Sequence, residues 1–452
     1  MGLRAAVRSR LTVGTRGVIS IASGTVGGQL LLLAAAPVLA RMYGPTDFGV
    51  FTVISTLVAT LGTVAAFRFE MAVPLPAQER GAHGLVALGL CAALLTGLVG
   101  TTLVALLGEA VVAAFDEPAL RTWLWLVPWA AAAMGSLLVL NQMAVRGRRY
   151  AAIGRRNLLQ SITMLLIQLG AGAGGVRSGG LALGLAGGQV AGALMLLPQA
   201  RLGSAEARAA RRPRELWRTA LRYRRFPLVL APSGLLNVLG LQLPVLLVAY
   251  WYGSTTAGWL GLTQRVLAAP AALLGVAVAQ VYLGELARAA RDSAERARLI
   301  FLGASRKLAL IALPGAVLVV VAAPALFSAL FSTEWANSGS YAQALAISTA
   351  AHFVSSPLSQ TLVVFGRQGL QLIWDVSRVV LVSGAVAVSV FTGASALAAI
   401  WAFGAAAALA YAVLWFMSLR TVTVASRAAR RMHREVAAPA EPVGRAAAET
   451  GV

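Results

Sequence analysis

The sequence predicts an all-α polytopic membrane protein, with about twelve transmembrane helices in two pseudo-symmetric six-helix lobes around a central cavity. Three observations predict it. Apolar runs of about 20 residues, long enough to cross a bilayer, recur along the whole chain. Only 12% of the 452 residues are charged and 58% are hydrophobic, with mean hydropathy +0.77; soluble domains carry roughly 25% charged residues. The stretch from Arg201 to Arg225, with nine arginines, divides two hydrophobic halves of similar length.

Taken in order, the first half holds spans at Val18–Ala40, Phe48–Phe67, Gly84–Leu107, Thr122–Ala144, Asn157–Val176 and Gly179–Pro198. The second holds Phe226–Tyr250, Gly258–Leu283, Leu308–Phe331, Tyr341–Gly366, Ile373–Phe391 and Ser395–Ser418. This gives an N-terminal lobe (1–200), a basic cytoplasmic linker (201–225), a C-terminal lobe (226–418) and a basic tail (419–452) expected to be disordered. The segment Gly108 to Arg121 is the longest outer loop and could form a small surface helix. No signal-peptide cleavage site is expected near the N-terminus, and the first run stays as a span.

A net charge of +22 raises the question of nucleic acid. Its distribution answers it. With the N-terminus placed in the cytoplasm, all but five of the 38 basic residues fall on inner segments. Arg41, Arg121 and Arg177 lie outside, and Arg265 and Arg378 lie inside spans. Positive loops stay in the cytoplasm, so topology accounts for the charge. Both termini are then cytoplasmic, nucleic acid is not a partner, and anionic lipid heads face the inner arginines.

The two halves read as a repeat. Tyr43-Gly-Pro-Thr-Asp-Phe-Gly49 aligns with Tyr252-Gly-Ser-Thr-Thr-Ala-Gly258 at an offset of 209, and Ala40 with Ala249. Six spans per half make the copies parallel, related by an axis along the membrane normal, with a cavity between them.

Several enzyme routes lack their residues. A phosphate-binding loop needs a lysine followed by Ser or Thr, and the sole lysine, Lys307, precedes Leu308. Three scattered histidines and one cysteine, Cys91, do not suggest a metal cluster or a disulfide. No outer segment is large enough for a folded catalytic domain. We expect no cofactor, no metal and no enzymatic activity.

Candidate site residues come from helical spacing. Thr52, Thr56, Thr60 and Thr63 form one face of span 2, which continues to Glu70 beside Arg68. Such threonines either back-bond to their own helix and pack or wet a path. Thr56 maps by the repeat to Arg265, next to Gln264. Arg265 lies seven residues past Gly258, about 10 Å into span 8. A guanidinium at that depth is costly in lipid. It faces an ion-pair partner, the interface, or a cavity with an anionic ligand; its planar donors suit a diphosphate. Asp375 and Arg378, three apart in span 11, can neutralise each other or form a coupling switch. His352, in a polar stripe of span 10, is a packing residue or a titrating one. Asn157, Gln160, Ser161 and Gln168 of span 5 read as interhelical glue. Asn237 in span 7 is less patterned, and Pro244, Pro270 and Pro314 can kink their helices.

The opening stretch resembles the polysaccharide-biosynthesis membrane proteins, the Wzx-type oligosaccharide flippases of the MOP (MATE-like) exporter superfamily. The features are a small-residue first span ending in Pro37 and Leu-Ala-Arg41, the motif Tyr43 to Gly49, and Arg68-Phe-Glu70-Met-Ala-Val-Pro-Leu-Pro76. The resemblance implies two six-helix lobes, alternating access, and transfer of an undecaprenyl-diphosphate-linked glycan across the bacterial cytoplasmic membrane. It implies a lipid-linked oligosaccharide substrate and other polysaccharide-assembly proteins as partners. Arg265 fits the diphosphate role, with Arg68 and Arg41 as weaker carry-overs. The alternatives are a cation-coupled multidrug exporter on the same fold and a membrane glycosyltransferase or polymerase.

Overall fold

The computed structural model describes the backbone of residues 2–437 and the side chains of 17, 20–268, 278–279, 281–290, 293 and 295–427. Among the described residues the regular structure is helical. In chain order the helices are α1 (Gly2–Met42), α2 (Pro45–Gly62), α3 (Glu79–Phe115), α4 (Leu120–Trp123), α5 (Leu126–Arg146), α6 (Tyr150–Ala173), α7 (Arg177–Leu196), α8 (Ala205–Ala210), α9 (Pro213–Arg222), α10 (Ala231–Asp292), α11 (Ala294–Phe331), α12 (Ala336–Leu358), α13 (Gln360–Val364), α14 (Gln368–Phe391) and α15 (Ala396–Ala437).

The 62 residues of α10 would make a straight rod about 93 Å long, three times a bilayer core. Gly253 divides it. Its φ of 82° lies in the left-handed region where a side chain is strained, so the chain turns there and re-enters the bilayer. With α10 counted as two arms, 231–252 and 254–292, the described residues form twelve long helices. Nine stretches, the longest running from Phe226 to Ala268, are long and apolar enough to span by composition. Helices α6 and α12, of 24 and 23 residues, have spanning length as well. The protein is a multi-pass membrane protein with the expected two-lobe layout.

Several boundaries differ from expectation. Helix α2 stops at Gly62, and Thr63 to Phe67 form turns rather than a last helical turn. Helix α3 runs on to Phe115 and absorbs much of the expected outer loop. Span 10 ends at Leu358 after Pro357, and α13 follows as a separate piece; proline removes a backbone donor inside a helix. The linker is not a bare loop. Ser204 caps α8 by accepting from the Ala207 N–H (3.1 Å), and Pro213 opens α9. The expected disordered tail after Ser418 is instead a continuation of α15 to Ala437; 438–452 lie outside the described residues, as does the side chain of Pro270.

The repeat is visible in the helix ends. Helices α6 and α14 are both 24 residues long. Each ends two residues before a glycine with positive φ, Gly175 (78°) and Gly393 (69°). Each is closed by the same back-bond, Val176 N–H to Ala171 carbonyl and Ala394 N–H to Ser389 carbonyl, both 2.9 Å. These positions correspond at an offset of 218, as do Asn157 with Asp375 and Gln160 with Arg378.

The buried apolar clusters show how the lobes meet. At the arginine-rich end, one cluster joins Phe69, Val73, Leu85, Met143 and Leu196 within the first half. Another joins Tyr282, Leu286, Phe301 and Leu358 within the second. At the opposite end the cores are shared. Leu39, Phe48 and Leu181 pack with Leu262, Phe331 and Trp335, and Val50 and Val53 with Ala249 and Ala257. The lobes are welded at one end and keep separate cores at the basic one.

Candidate functional site

The weld is built from the repeated motif. Pro45 pre-sets the first turn of α2, and Asp47 fixes its start by accepting from the Gly44 N–H (3.1 Å) and the Ser178 hydroxyl (2.8 Å). The Tyr43 hydroxyl donates to the Gln168 carbonyl (2.5 Å), and its repeat mate Tyr252 to that of Ala394 (3.1 Å). Each lobe so anchors its own tyrosine. Between them α2 crosses the second arm of α10. Gly49 lies on the Ser254 carbonyl, and Gly258 on the Pro45 carbonyl; a methyl on either glycine would overlap that oxygen. The Thr46 and Thr255 hydroxyls meet at 3.0 Å. All three contacts exchange under the offset of 209, so a pseudo-twofold axis runs between the two threonines. Trp335 covers the crossing, donating from Nε1 to the Ala40 carbonyl (2.9 Å) with its ring edge-on to Phe48 at 4.9 Å.

Along α2 from this seal runs the threonine stripe. Thr52, Thr56 and Thr60 are buried. The Thr52 hydroxyl donates to the Phe48 carbonyl (2.7 Å), Thr60 to Thr56 (2.8 Å) and Thr63 to Ala59 (2.7 Å). Back-bonding satisfies these hydroxyls without water. Opposite Thr52 sits Gly261. One turn further along α10, Arg265 turns to the N-terminal lobe, its Cζ 5.8 Å from the centre of the Phe51 ring on α2. Its Nη1 is fully enclosed and has no acceptor, and no carboxylate pairs with the guanidinium among the described residues. Arg41 stays at the seal end, exposed in the last turn of α1.

A second group lies at the basic end. Phe67 and Arg68 are consecutive non-glycine residues with positive φ, 51° and 59°. This strained turn lays the Arg68 guanidinium against Gly234 in the first arm of α10, across the gap between lobes. Glu70 is 3% exposed, 3.7 Å from Arg68, and neither of its carboxylate oxygens accepts a hydrogen bond. Burial raises its pKa above the ordinary glutamate value, against the pull of its own backbone N–H and of Arg68.

The third group sits inside the C-terminal lobe, around a cavity of about 460 Å³ whose lining includes Gln264, His352, Arg378 and Tyr411. Arg378 Nη1 donates to the Tyr411 hydroxyl (3.3 Å), Nη2 lies 3.9 Å from Asp375, and Cζ lies 4.9 Å from the Trp374 ring. Its Nε has no acceptor. His352 packs its ring 4.8 Å from that of Tyr411. The structure thus parts two sequence neighbours: Gln264 lines this cavity, whereas Arg265 faces the other lobe.

One half-buried cation was not singled out by sequence. Arg156 counts there as a loop charge, yet it lies in the second turn of α6. Its Nη2 donates to Asn141 (2.7 Å) and its Nη1 to Gln160 (2.9 Å), which donates in turn to Gln189 (3.2 Å). The spacing of Arg156 and Gln160, four apart on one face, was the available signal.

Against this geometry stand the comparisons with known proteins. The family model for polysaccharide biosynthesis proteins matches residues 38–340. No curated protein matches the sequence. Among solved structures, the lipid II flippase MurJ in an inward closed conformation superposes with a TM-score of 0.71 at 10% identity, covering 93% of this chain and 92% of that one. An inward-facing multidrug resistance MATE family transporter of the MOP superfamily gives 0.63 at 16% identity, covering 90% and 94%. The Vibrio cholerae MATE transporter VcmN, in the bent form, gives 0.51 at 13% identity, covering 93% and 99%. At such identities the likeness is one of fold, the two-lobed fold of MOP exporters.

Proposed function

The chain belongs to the polysaccharide biosynthesis protein family, and from that premise we propose that it is a flippase. It moves an undecaprenyl-diphosphate-linked oligosaccharide across the bacterial cytoplasmic membrane by alternating access, with its basic end and both termini in the cytoplasm. The observation that carries this reading is Arg265. A guanidinium with an enclosed, unpartnered Nη1 and no paired carboxylate among the described residues, at the seam between two lobes, suits an anionic ligand. Bidentate donors suit the phosphate oxygens of a lipid diphosphate. The family's description as polysaccharide biosynthesis proteins supports a glycan substrate, and the resemblance of fold extends to a lipid II flippase. The sealed outer end and separate inner cores correspond to the state that receives substrate from the cytoplasmic leaflet. Rocking about the seal would part Gly49 from Gly258 and close the basic end.

A multidrug exporter on the same fold would need an available acid for a cationic drug. Glu70 is tied to Arg68, and Asp375 to Arg378. Deleting the gene and measuring lipid-linked glycan tests the choice. The expected result is repeat units accumulating on the cytoplasmic leaflet and loss of surface polysaccharide. Expressed, folded Arg265→Ala should lose about 2 kcal/mol of charge-assisted contact, roughly thirty-fold in apparent affinity, and Arg265→Lys should recover part of it. Normal surface glycan together with sensitivity to cationic drugs would replace the flippase by the drug exporter. Loss of sugar-bond formation with repeat units accumulating on the outer leaflet would point to a polymerase.

A further inference from the structure

The membrane-facing side of the C-terminal lobe holds a trough unrelated to the seam. It lies between α11, α12 and α15 and has a volume of about 560 Å³. Alanines form its floor, notably Ala312 and Ala316 on α11 and Ala350 and Ala351 on α12. Larger side chains of α11 point away, Leu310, Val317 and Val321 each being more than 60% exposed, while Leu313 stands at the edge of the trough. At the basic end of the trough stand Arg306 and Trp415. Trp415 is held in place, its Nε1 donating to the Ser305 hydroxyl (3.0 Å). Arg306 is exposed and forms no ion pair among the described residues. The acid at that end of α11, Glu295, lies 3.7 Å from Arg298 and accepts from the Ser426 hydroxyl. Lys307, also exposed, follows directly.

An apolar trough headed by an uncompensated cation at the level of the lipid head groups has the charge pattern of a lipid. Its length selects the kind. From Arg306 to Ala316 the floor runs about 15 Å along α11, the hydrocarbon depth of one leaflet. A polyprenyl chain that crosses both leaflets overruns it. We propose that this trough binds one anionic phospholipid of the basic-end leaflet, with its phosphate on Arg306 and one acyl chain on the alanine floor. The bound chain completes the packing of α11 beside Pro314, where proline removes a backbone hydrogen bond. The trough is independent of the substrate assigned to Arg265.

Native mass spectrometry of the purified full chain tests it, with phosphatidylglycerol, phosphatidylcholine and undecaprenyl phosphate as probes. The expected result is one tight phosphatidylglycerol adduct, with phosphatidylcholine binding more weakly. Arg306→Ala should weaken that adduct about fivefold to tenfold, the size of one basic contact with an anionic lipid. Ala312→Trp should abolish it by filling the floor, whereas Val321→Trp, on an outward-facing part of α11, should leave it intact. A melting curve on each variant separates lost binding from lost fold. Equal adducts for both phospholipids, or a phosphatidylglycerol adduct indifferent to both Arg306→Ala and Ala312→Trp, overturns the proposal. So does undecaprenyl phosphate displacing phosphatidylglycerol in a manner sensitive to the same two variants, which would make the trough a rest for the carrier tail.

Discussion

At the scale of residues, Glu70 shows how one buried group sets a pH dependence. Its folded pKa is raised by burial, so the fold favours the protonated acid. The stability this gives is full below the ordinary value of 4.5 and is lost as pH rises through the raised folded value. Above that window the wild type carries an enclosed carboxylate at a cost that Glu70→Gln removes. The melting temperature of Glu70→Gln minus that of the wild type should therefore grow as pH rises above 4.5 and level off once pH passes the raised folded value. A difference flat across that range would mean that Arg68 fully compensates the charge. The same scale shows what sequence could and could not tell. The spacing of Thr52, Thr56 and Thr60 placed them on one face, and they share one. Spacing does not say which neighbour covers that face, because this depends on how the lobes rock. Nor does adjacency group residues: the 100° step between Gln264 and Arg265 sends them to different compartments.

At the scale of elements, the crossing of α2 with the second arm of α10 was legible as the motif Y-G-x-T-x-x-G and its copy. The break at Gly253 was foreshadowed by the same alignment, since it mates with Gly44 ahead of Pro45. The ends of α3 and α12 were less legible, because apolar runs mark the bilayer and not where hydrogen bonding stops. The crossing makes a mechanical prediction. In a Cys91→Ser background, Thr46→Cys with Thr255→Cys replaces hydroxyls that stand 3.0 Å apart with thiols in reach of a disulfide, whose Cβ atoms sit about 3.8 Å apart. Oxidation should cross-link the pair and stop transport, and reduction should restore it. Transport that proceeds through the cross-link would mean that this end never opens. Gly49→Val should act oppositely, weakening the seal by about 1–3 kcal/mol through overpacking, and should raise labelling of a single Thr255→Cys from outside.

At the scale of the whole molecule, charge fixes orientation where shape does not. Two similar lobes would fit the membrane either way up, and the arginines between Arg201 and Arg225 decide between them. Trypsin should leave this segment uncut in intact spheroplasts and cut it in inside-out vesicles, giving two fragments of similar size. Cleavage in intact spheroplasts would invert every assignment of inner and outer made above. The two-lobed layout was readable from repeat and charge; the cavity described above lies inside the C-terminal lobe and not between the two. The half-buried Arg156 and the buried Arg378, one inside each lobe, were not read as a related pair, because the offset that links α6 to α14 is 218 and not the 209 of the seal.

The symmetry of the seal also bears on ancestry. A chain of half this length, bearing one copy of the motif, would close the same contact against a second copy of itself: Thr46 would touch Thr46, and each Gly49 would rest on the other copy's Pro45 carbonyl. Such a homodimer could not carry this site. The position of Arg265 is that of Thr56 in the first half, so a shared sequence would set two guanidiniums, or none, on either side of the axis. Fusion of the halves into one gene removes that constraint. It lets one half keep a small neutral threonine while the other supplies a single charge, and the asymmetry that the proposed diphosphate site requires arises from the fused chain.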